Sequence, residues 1–175
     1  MGDIKSIPEV VHNFNAYKSG NKLIGLAGSI TLPDFSATTS TISGAGILGE
    51  YDEAIIGTYG NMTLDVTFRV LDNDIFSLMN PLEPFELTFR GSVQVINPAT
   101  AALDTKSMRI VVRGKQTDFK PGKMENGTTM DASVSINVIY ILIEIDGKSK
   151  LELDKINFVY KIAGNDIMAK VRKQC

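Results

Sequence analysis

The chain has 175 residues, with 18 Lys and Arg against 20 Asp and Glu, one His and a formal net charge of -2. That balance gives no net basic field for nucleic acid, while 43% hydrophobic residues without Trp suit a globular chain long enough to build a real core in one domain. The only cysteine, Cys175, excludes an intramolecular disulfide framework and a multi-thiolate metal site within one subunit.

Residues 1–11 carry Asp3, Lys5, Pro8 and Glu9 and lack the apolar centre of a signal peptide. They are expected to form a polar N-terminal arm that also holds His12. The longest apolar run, residues 138–143, falls far short of the ~20 residues of a membrane helix, so a soluble, intracellularly made protein is expected. Residues 22–32 (KLIGLAGSITL) read as a first strand weakened by Gly25 and Gly28 and closed by Pro33. Residues 34–60 (DFSATTSTISGAGILGEYDEAIIGTYG) are rich in Gly, Ser and Thr, but Ile47, Leu48, Tyr51, Ile55, Ile56 and Tyr59 make them too apolar for a disordered linker. A long hairpin or excursion loop is expected there.

From residue 62 the pattern changes to strict alternation. Met62, Leu64, Val66, Phe68 and Val70 face one way, and Thr63, Asp65, Thr67 and Arg69 the other. Phe85, Leu87, Phe89, Val93 and Val95 oppose Glu86, Thr88, Arg90, Ser92 and Gln94 in the same manner. Period two means strands with one buried and one wet face. Most strands have about 5 or 6 residues, whereas residues 85–97 fully extended would span about 44 Å at ~3.4 Å per residue. Such strands suit an extended sheet whose edges must be paired, as self-assembly would pair them. Between these strands, residues 72–80 (DNDIFSLMN) predict a short helix with Asp72 or Asn73 as cap, Ile75, Phe76, Leu78 and Met79 on its buried side, and Pro81 as stop.

A turn or half-turn of helix is expected at 98–106 and a strand at 107–119, where Met108, Ile110 and Val112 oppose Arg109, Arg113 and Lys115, and Val111 breaks the polar side. Pro-Gly and Asn-Gly steps in 120–129 suit a hairpin tip. The strand 131–146 then changes phase. Ala132, Val134, Ile136 and Val138 alternate with Asp131, Ser133, Ser135 and Asn137, but beyond them Ile139, Ile141, Ile143 and Ile145 carry the apolar role. A swap of faces requires a bulge or a new environment, so 138–143 are expected to be covered on both sides. Asp146-Gly147 marks a tight hairpin. Residues 148–162 return as a strand with its own phase shift near Asp154, where the strand is expected to become enclosed; Gly164-Asn165 turns the chain. Residues 165–173 can form a short basic helix with Ile167, Met168 and Val171 inward.

No catalytic constellation emerges. Gly44-Ala45-Gly46-Ile47-Leu48-Gly49 spells G-x-G-x-x-G, but no buried strand precedes it and no long helix follows, as a dinucleotide site requires; a flexible loop is the better reading. One histidine supports neither a nucleophilic triad nor a His-based metal site, and no cofactor is expected. Glu50, Asp52 and Glu53 lack calcium-loop spacing. Asn61-Met62-Thr63 and Asn126-Gly127-Thr128 match glycosylation sequons that no secretion signal supports.

Leu32-Pro33 followed by SGAGILGEYDEAIIGTYGNMTLDV, the strand-helix-strand order after it, and the terminal KLELDKINFVYKIAGNDIMAKVRK resemble the major tail tube proteins of contractile-tailed bacteriophages and phage-tail-like bacteriocins. The likeness spans nearly the whole chain. It implies a non-enzymatic, mainly β, antiparallel β-sandwich or barrel-like subunit with one short flanking helix and a short C-terminal helix. Six copies would form a ring with a continuous inner β-barrel, and rings would stack into a tube inside a contractile sheath. The partners implied are the chain itself, a tail sheath protein, and baseplate and tape-measure proteins, with DNA passing through the lumen only in a true phage. Assembly would occur in the bacterial cytoplasm and the product would be a virion tail or a released particle. A type VI secretion-like tube shares this fold and assembly, and a β-sandwich ligand-binding module is the rival from another class, disfavoured by the lack of aromatic platforms.

The resemblance assigns the wet faces to the channel wall: Thr63, Asp65, Thr67, Arg69, Glu86, Thr88, Arg90, Ser92, Gln94, Arg109, Arg113, Asp131, Ser133, Ser135 and Asn137. The plain alternative is the solvated side of an antiparallel sheet. It also assigns inter-ring contact to the Gly-rich excursion, through Gly44, Gly46, Ile47, Leu48, Glu50, Tyr51, Asp52, Glu53, Ile55 and Ile56, with Lys170, Arg172 and Lys173 as charge partners.

Overall fold

The computed structural model describes residues 6–23, 25–80, 82 and 84–175. Pro81, expected to stop the first helix, lies outside them, as do residues 1–5 of the polar arm and Ile24 of the first expected strand. The fold is mainly antiparallel β, with strands β1 (Ile7–Lys18), β2 (Asn21–Lys22), β3 (Leu26–Thr31), β4 (Ala37–Ser43), β5 (Glu50–Tyr59), β6 (Thr63–Phe68), β7 (Phe85–Ile96), β8 (Leu103–Lys120), β9 (Ala132–Ile145), β10 (Lys148–Asp154), β11 (Val159–Ile162) and β12 (Asn165–Asp166). Two short helices complete it, α1 (Asn73–Ser77) and α2 (Ala169–Gln174).

Ten strands form one sheet in the order β12-β11-β10-β9-β8-β7-β1-β2, with β6 attached to β9 and β3 to β6. Strand β9 is the branch point. On one side it pairs with β8 along most of its length; on the other its first half pairs with β6 and its second half with β10. The exchange falls at the predicted phase change. Val138 donates its N–H to the Met62 carbonyl, and Tyr140 already pairs with Asp154. Across the same step Arg113 pairs with Tyr140 and Gly114 with Val138, which leaves Ile139 as the extra residue of a β-bulge. The buried parity therefore moves from Val138 to Ile141, with Ile139 only half-buried. Gly114 sits at this bulge because a Cβ there would stand 2.2 Å from the Asn137 carbonyl oxygen.

The inward faces meet in one apolar core. Leu64, Val66 and Phe68 of β6 pack with Val134 and Ile136 of β9, Leu87 of β7 and Val112 of β8, all fully buried. Each such side chain contributes roughly 1.5–3 kcal/mol by leaving water. Helix α1 closes one end of the core with Ile75 and, just beyond its last turn, Leu78. The Asp72 carboxylate caps it by accepting from the Asn73 N–H. Phe76, expected inward, is instead exposed and meets Phe119 with ring centroids 6.2 Å apart, because so short a helix has only a narrow buried stripe. Among the described residues no polar or charged side chain is buried.

Several elements depart from expectation. The polar arm is largely strand β1, twelve residues long and paired along β7, with His12 exposed at a register shift. Strand β8 begins at Leu103, earlier than the expected residue 107. The single strand expected over 148–162 is a hairpin: β10 reverses through 155–158 into β11, and Asp154 holds the turn by accepting from the N–H groups of Ile156 and Asn157. The second phase shift is therefore a change of direction, not enclosure. The next turn lies at Ala163 and Gly164, both at positive φ, one residue before the expected step. Asn165 and Asp166 then belong to β12, so the terminal helix starts only at Ala169, with Met168 buried and Ile167 and Val171 exposed.

Candidate assembly surfaces

Pairing register places the polar residues of seven strands on one continuous face. One row runs Tyr17, Thr88, Val111, Leu142, Glu152, Lys161 and Asp166, from β1 to β12. Beside it stand Asn15, Arg90, Arg109 and Glu144 on one flank and Glu86, Arg113, Tyr140 and Asp154 on the other. Past the bulge the face continues through Thr63, Asn137 and Lys115, then Asp65 and Ser135, then Thr67 and Ser133. Ser92 and Gln94 extend it along β7 opposite Ser107 and Thr105. Arg69 and Asp131 lie just outside β6 and β9, in the connections at the strand ends. Two apolar residues interrupt the face side by side, Val111 and its register partner Leu142; Val111 is only 3% exposed although it shares this face with Arg109 and Arg113.

Charges on this face neutralise one another across strands. Arg109 meets Glu144 and Arg113 meets Glu86, each at 3.0 Å, and Lys161 meets Glu152 at 2.9 Å. The Arg113 guanidinium also lies 4.2 Å from the centre of the Tyr140 ring, and that of Arg90 5.2 Å from the Tyr17 ring. The Tyr140 hydroxyl donates to Glu152, and burial together with that carboxylate raises its pKa above the ordinary value. Ser135 donates to Asp65 across β6 and β9. Exposed pairs of this kind contribute only about 0.2–1 kcal/mol each; their main effect is a polar wall of low net charge. Asn15, Tyr17, Tyr140, Glu144, Glu152 and Lys161 belong to this wall but were not among the residues predicted for it. The β1 members were legible in the Asn13-Asn15-Tyr17 alternation and Glu152 in its place between Leu151 and Leu153, whereas Tyr140 and Glu144 depend on the phase change at Ile139 and Lys161 on the reversal after Asp154.

The second surface is the hairpin of β4 and β5, a separate two-stranded sheet. Its tip is the G-x-G-x-x-G stretch, where Gly44, Gly46 and Gly49 all adopt positive φ in a turn that no helix follows. Ile47, Leu48, Tyr51, Ile55 and Ile56 are exposed, and Leu48 entirely so. Glu50, Asp52 and Glu53 lie on the returning strand, with Asp52 accepting from the Thr41 hydroxyl at 2.6 Å. Pairing jumps from Ala37 and Tyr59 to Thr39 and Ala54, so residues 55–58 form an elbow. There Gly57, at φ +70°, packs so closely that a Cβ would lie 2.6 Å from the Met168 sulfur. Below the elbow the hairpin is anchored. The Tyr59 and Tyr160 hydroxyls lie 2.6 Å apart, Phe35 meets the Tyr59 ring edge-on, and Lys155 donates to the Gly60 carbonyl. Burial and the Tyr160 hydrogen bond push the Tyr59 pKa up to about 12.

The predicted charge partners on α2 divide. The Arg172 guanidinium bonds Asp166 at 2.5 Å and the Phe158 carbonyl at 2.7 Å, and holds the Asp166 pKa below its usual value. Lys170 and Lys173 are exposed. Among the described residues no group of three or more His, Cys, Asp or Glu could hold a metal ion, and no helix is long and apolar enough to cross a membrane.

Comparison with known proteins gives a consistent result. The family model for phage tail tube protein FII matches residues 8–175. The tail tube protein of Escherichia phage P2 is 23% identical over 171 residues, covering 96% of this chain and 97% of that protein. The major tail tube protein of Serratia phage KSP20 is 27% identical over 162 residues, covering 93% and 92%. Among solved structures, the fold resembles a chain of the sheath/tube terminator of an extracellular contractile injection system in its extended state, with TM-score 0.55, 14% identity and 78% of this chain matched to 96% of that one. A chain of the sheath-tube complex of such a system gives TM-score 0.53 at 16% identity, covering 78% and 91%.

Proposed function

The chain belongs to the phage tail tube protein FII family and is a structural subunit of a tail tube, and we propose that six copies close into a ring whose polar sheet face lines the bore. The observation that carries this reading is the row from Tyr17 to Asp166: seven strands present one continuous, charge-neutralised face, backed by a core that buries the opposite parity. A face whose acids and bases cancel locally is suited to a channel wall, since no strong field of one sign would hold a passing polymer. Rings stack through the β4–β5 hairpin, which exposes apolar residues that its own chain leaves uncovered. A sheath surrounds the tube, a tape-measure protein fills the bore before firing, a baseplate starts assembly, and DNA follows in a phage; assembly takes place in the bacterial cytoplasm. The subunit does no chemistry.

Negative-stain microscopy of the purified chain tests the assembly: rings or tubes of uniform diameter are expected, and a strict monomer at high concentration would overturn it. The bore assignment has its own test in a Cys175→Ser background. In assembled tubes Thr88→Cys should react with a small maleimide but resist one carrying a large polymer, and equal reactivity to both would place that face outside.

A further inference from the structure

We infer that the acidic tip of the β4–β5 hairpin is received by a groove between β1 and β3 of a second copy of this chain. The inference rests on the hairpin being the inter-ring arm, and it names the surface that arm fills. Among the described residues, strand β2 pairs only with Tyr17 and Lys18 of β1, and β3 pairs only with β6, so most of β1 and the outer side of β3 are open edges there. Two adjoining cavities lie along them. One, about 620 Å³, is lined by His12, Lys22 and Arg69 among others; the second, about 250 Å³, is lined by apolar groups including Ile30, Phe89 and Met108; Val11 and Phe14 belong to both. Among the described residues, neither wall contains an Asp or Glu.

The hairpin has the complementary chemistry. Between residues 34 and 60 the charged residues are Asp34, Glu50, Asp52 and Glu53, with no Lys, Arg or His. Leu48 projects fully exposed from the tip, with the three nearest carboxylates two to five residues behind it. The cationic cavity adjoins the apolar one, so a single approach seats Leu48 among Phe14, Ile30 and Met108 while Glu50, Asp52 and Glu53 face Lys22 and Arg69. The occupant must come from another copy. Leu32 also lines the apolar cavity, and the arm leaves the sheet just beyond it, carrying its tip about 17 Å out along the paired stretch at ~3.4 Å per residue. This receptor fits the arm better than α2 does, because the groove offers apolar cover as well as cations, while the Arg172 guanidinium is already bound within its own chain.

The test uses the full chain with Cys175→Ser. Leu48→Cys combined with Val11→Cys should give a ladder of disulfide-linked copies on a non-reducing gel from tubes, and none from unassembled protein or from either single variant. Lys22→Glu with Arg69→Glu should abolish tubes while leaving the subunit's unfolding midpoint unchanged, and adding Glu50→Lys with Asp52→Lys should restore them. If tubes form normally after both charge reversals, and the cysteine pair does not link, the groove is not the receptor. A third variant separates that failure from failure of the arm itself: Thr39 and Ala54 are register partners, so excising the residues between them and joining the two by a short turn removes the tip cleanly. Normal tubes from this variant would overturn the arm, whereas loss of tubes without cross-linking would overturn only the groove.

Discussion

The ten-stranded sheet and the β4–β5 hairpin use the same antiparallel pairing and end in opposite states. In the sheet every second residue from Leu64 to Phe68 is fully buried, and β9 is held on both sides along its length. In the hairpin, residues just as apolar, Leu48 and Ile56 among them, face water, the latter 67% exposed. A free two-stranded ribbon is marginal in water on its own, and this one is tied to the sheet at its elbow, through Gly57, and below it, through Tyr59. One region is stabilised by its own chain; the other keeps apolar surface that only another molecule can cover. The two regions should accordingly respond to substitution in different currencies, stability for the sheet and assembly for the hairpin.

The largest effect is expected at Phe68, the fully buried last residue of β6 and a member of the apolar core. Phe68→Ala should lower the unfolding free energy by about 3–5 kcal/mol in urea titration of the unassembled subunit, and a loss below ~1 kcal/mol would show that the sheet too depends on its neighbours. Gly114→Ala comes next. Its new Cβ would press on the Asn137 carbonyl across the β8–β9 pair, and backbone on both sides must shift, costing about 1–3 kcal/mol by the usual scale of overpacking. A neutral outcome would mean that the bulge at Ile139 can move and that the branch point is softer than its pairing suggests.

The hinge between the two regions should give a smaller, pH-dependent effect. Tyr59→Phe removes the hydroxyl shared with Tyr160 and is expected to cost about 0.5–1.5 kcal/mol near neutral pH. Because Tyr59 is raised from the ordinary value of 10.0 to about 12 in the folded chain, unfolding releases its proton more readily than the native state does. Its contribution is complete below pH 10 and is lost as pH rises through 10 towards 12. The gap between the original chain and Tyr59→Phe should therefore narrow over that interval, and a constant gap would sever the link between the hydroxyl pair and the anchor.

The contrast between the regions is partly legible in the sequence. The alternation of 62–70 and 85–97 marks the half-buried strands, and the phase change in 131–146 marks a place where a bulge or a new environment is required; cover on both sides of 138–143 is the expectation, and the pairing register supplies the bulge at Ile139. The hairpin was legible as an ordered excursion, since its apolar content exceeds that of a linker. What escaped were features that depend on partners distant in sequence. Strand β1 reads as a polar arm because Pro8, Glu9 and His12 interrupt any alternation in its first half; the Asn13-Asn15-Tyr17 alternation of its second half is legible, but its partner, β7, is not. The reversal after Asp154 was missed because Asn157 and Phe158 carry no Gly or Pro; Phe158 takes positive φ, and the Asp154 carboxylate supplies the turn instead. For the same reason Ile167 was assigned an inward role that β12 displaces.

The smallest expected effect on stability belongs to the residue on which the comparison turns most sharply. Leu48→Ser changes a fully exposed side chain, so the unfolding free energy of the subunit should stay within about 0.5 kcal/mol of the original. If Leu48 is present for another copy, the same substitution should abolish tubes in negative stain, because in a stack its loss recurs at every subunit of every ring. Equal stability with absent tubes would separate the two currencies in a single variant. A fall in stability would instead mean that the tip folds back onto its own sheet, and unimpaired tubes would show that its exposure has no bearing on stacking.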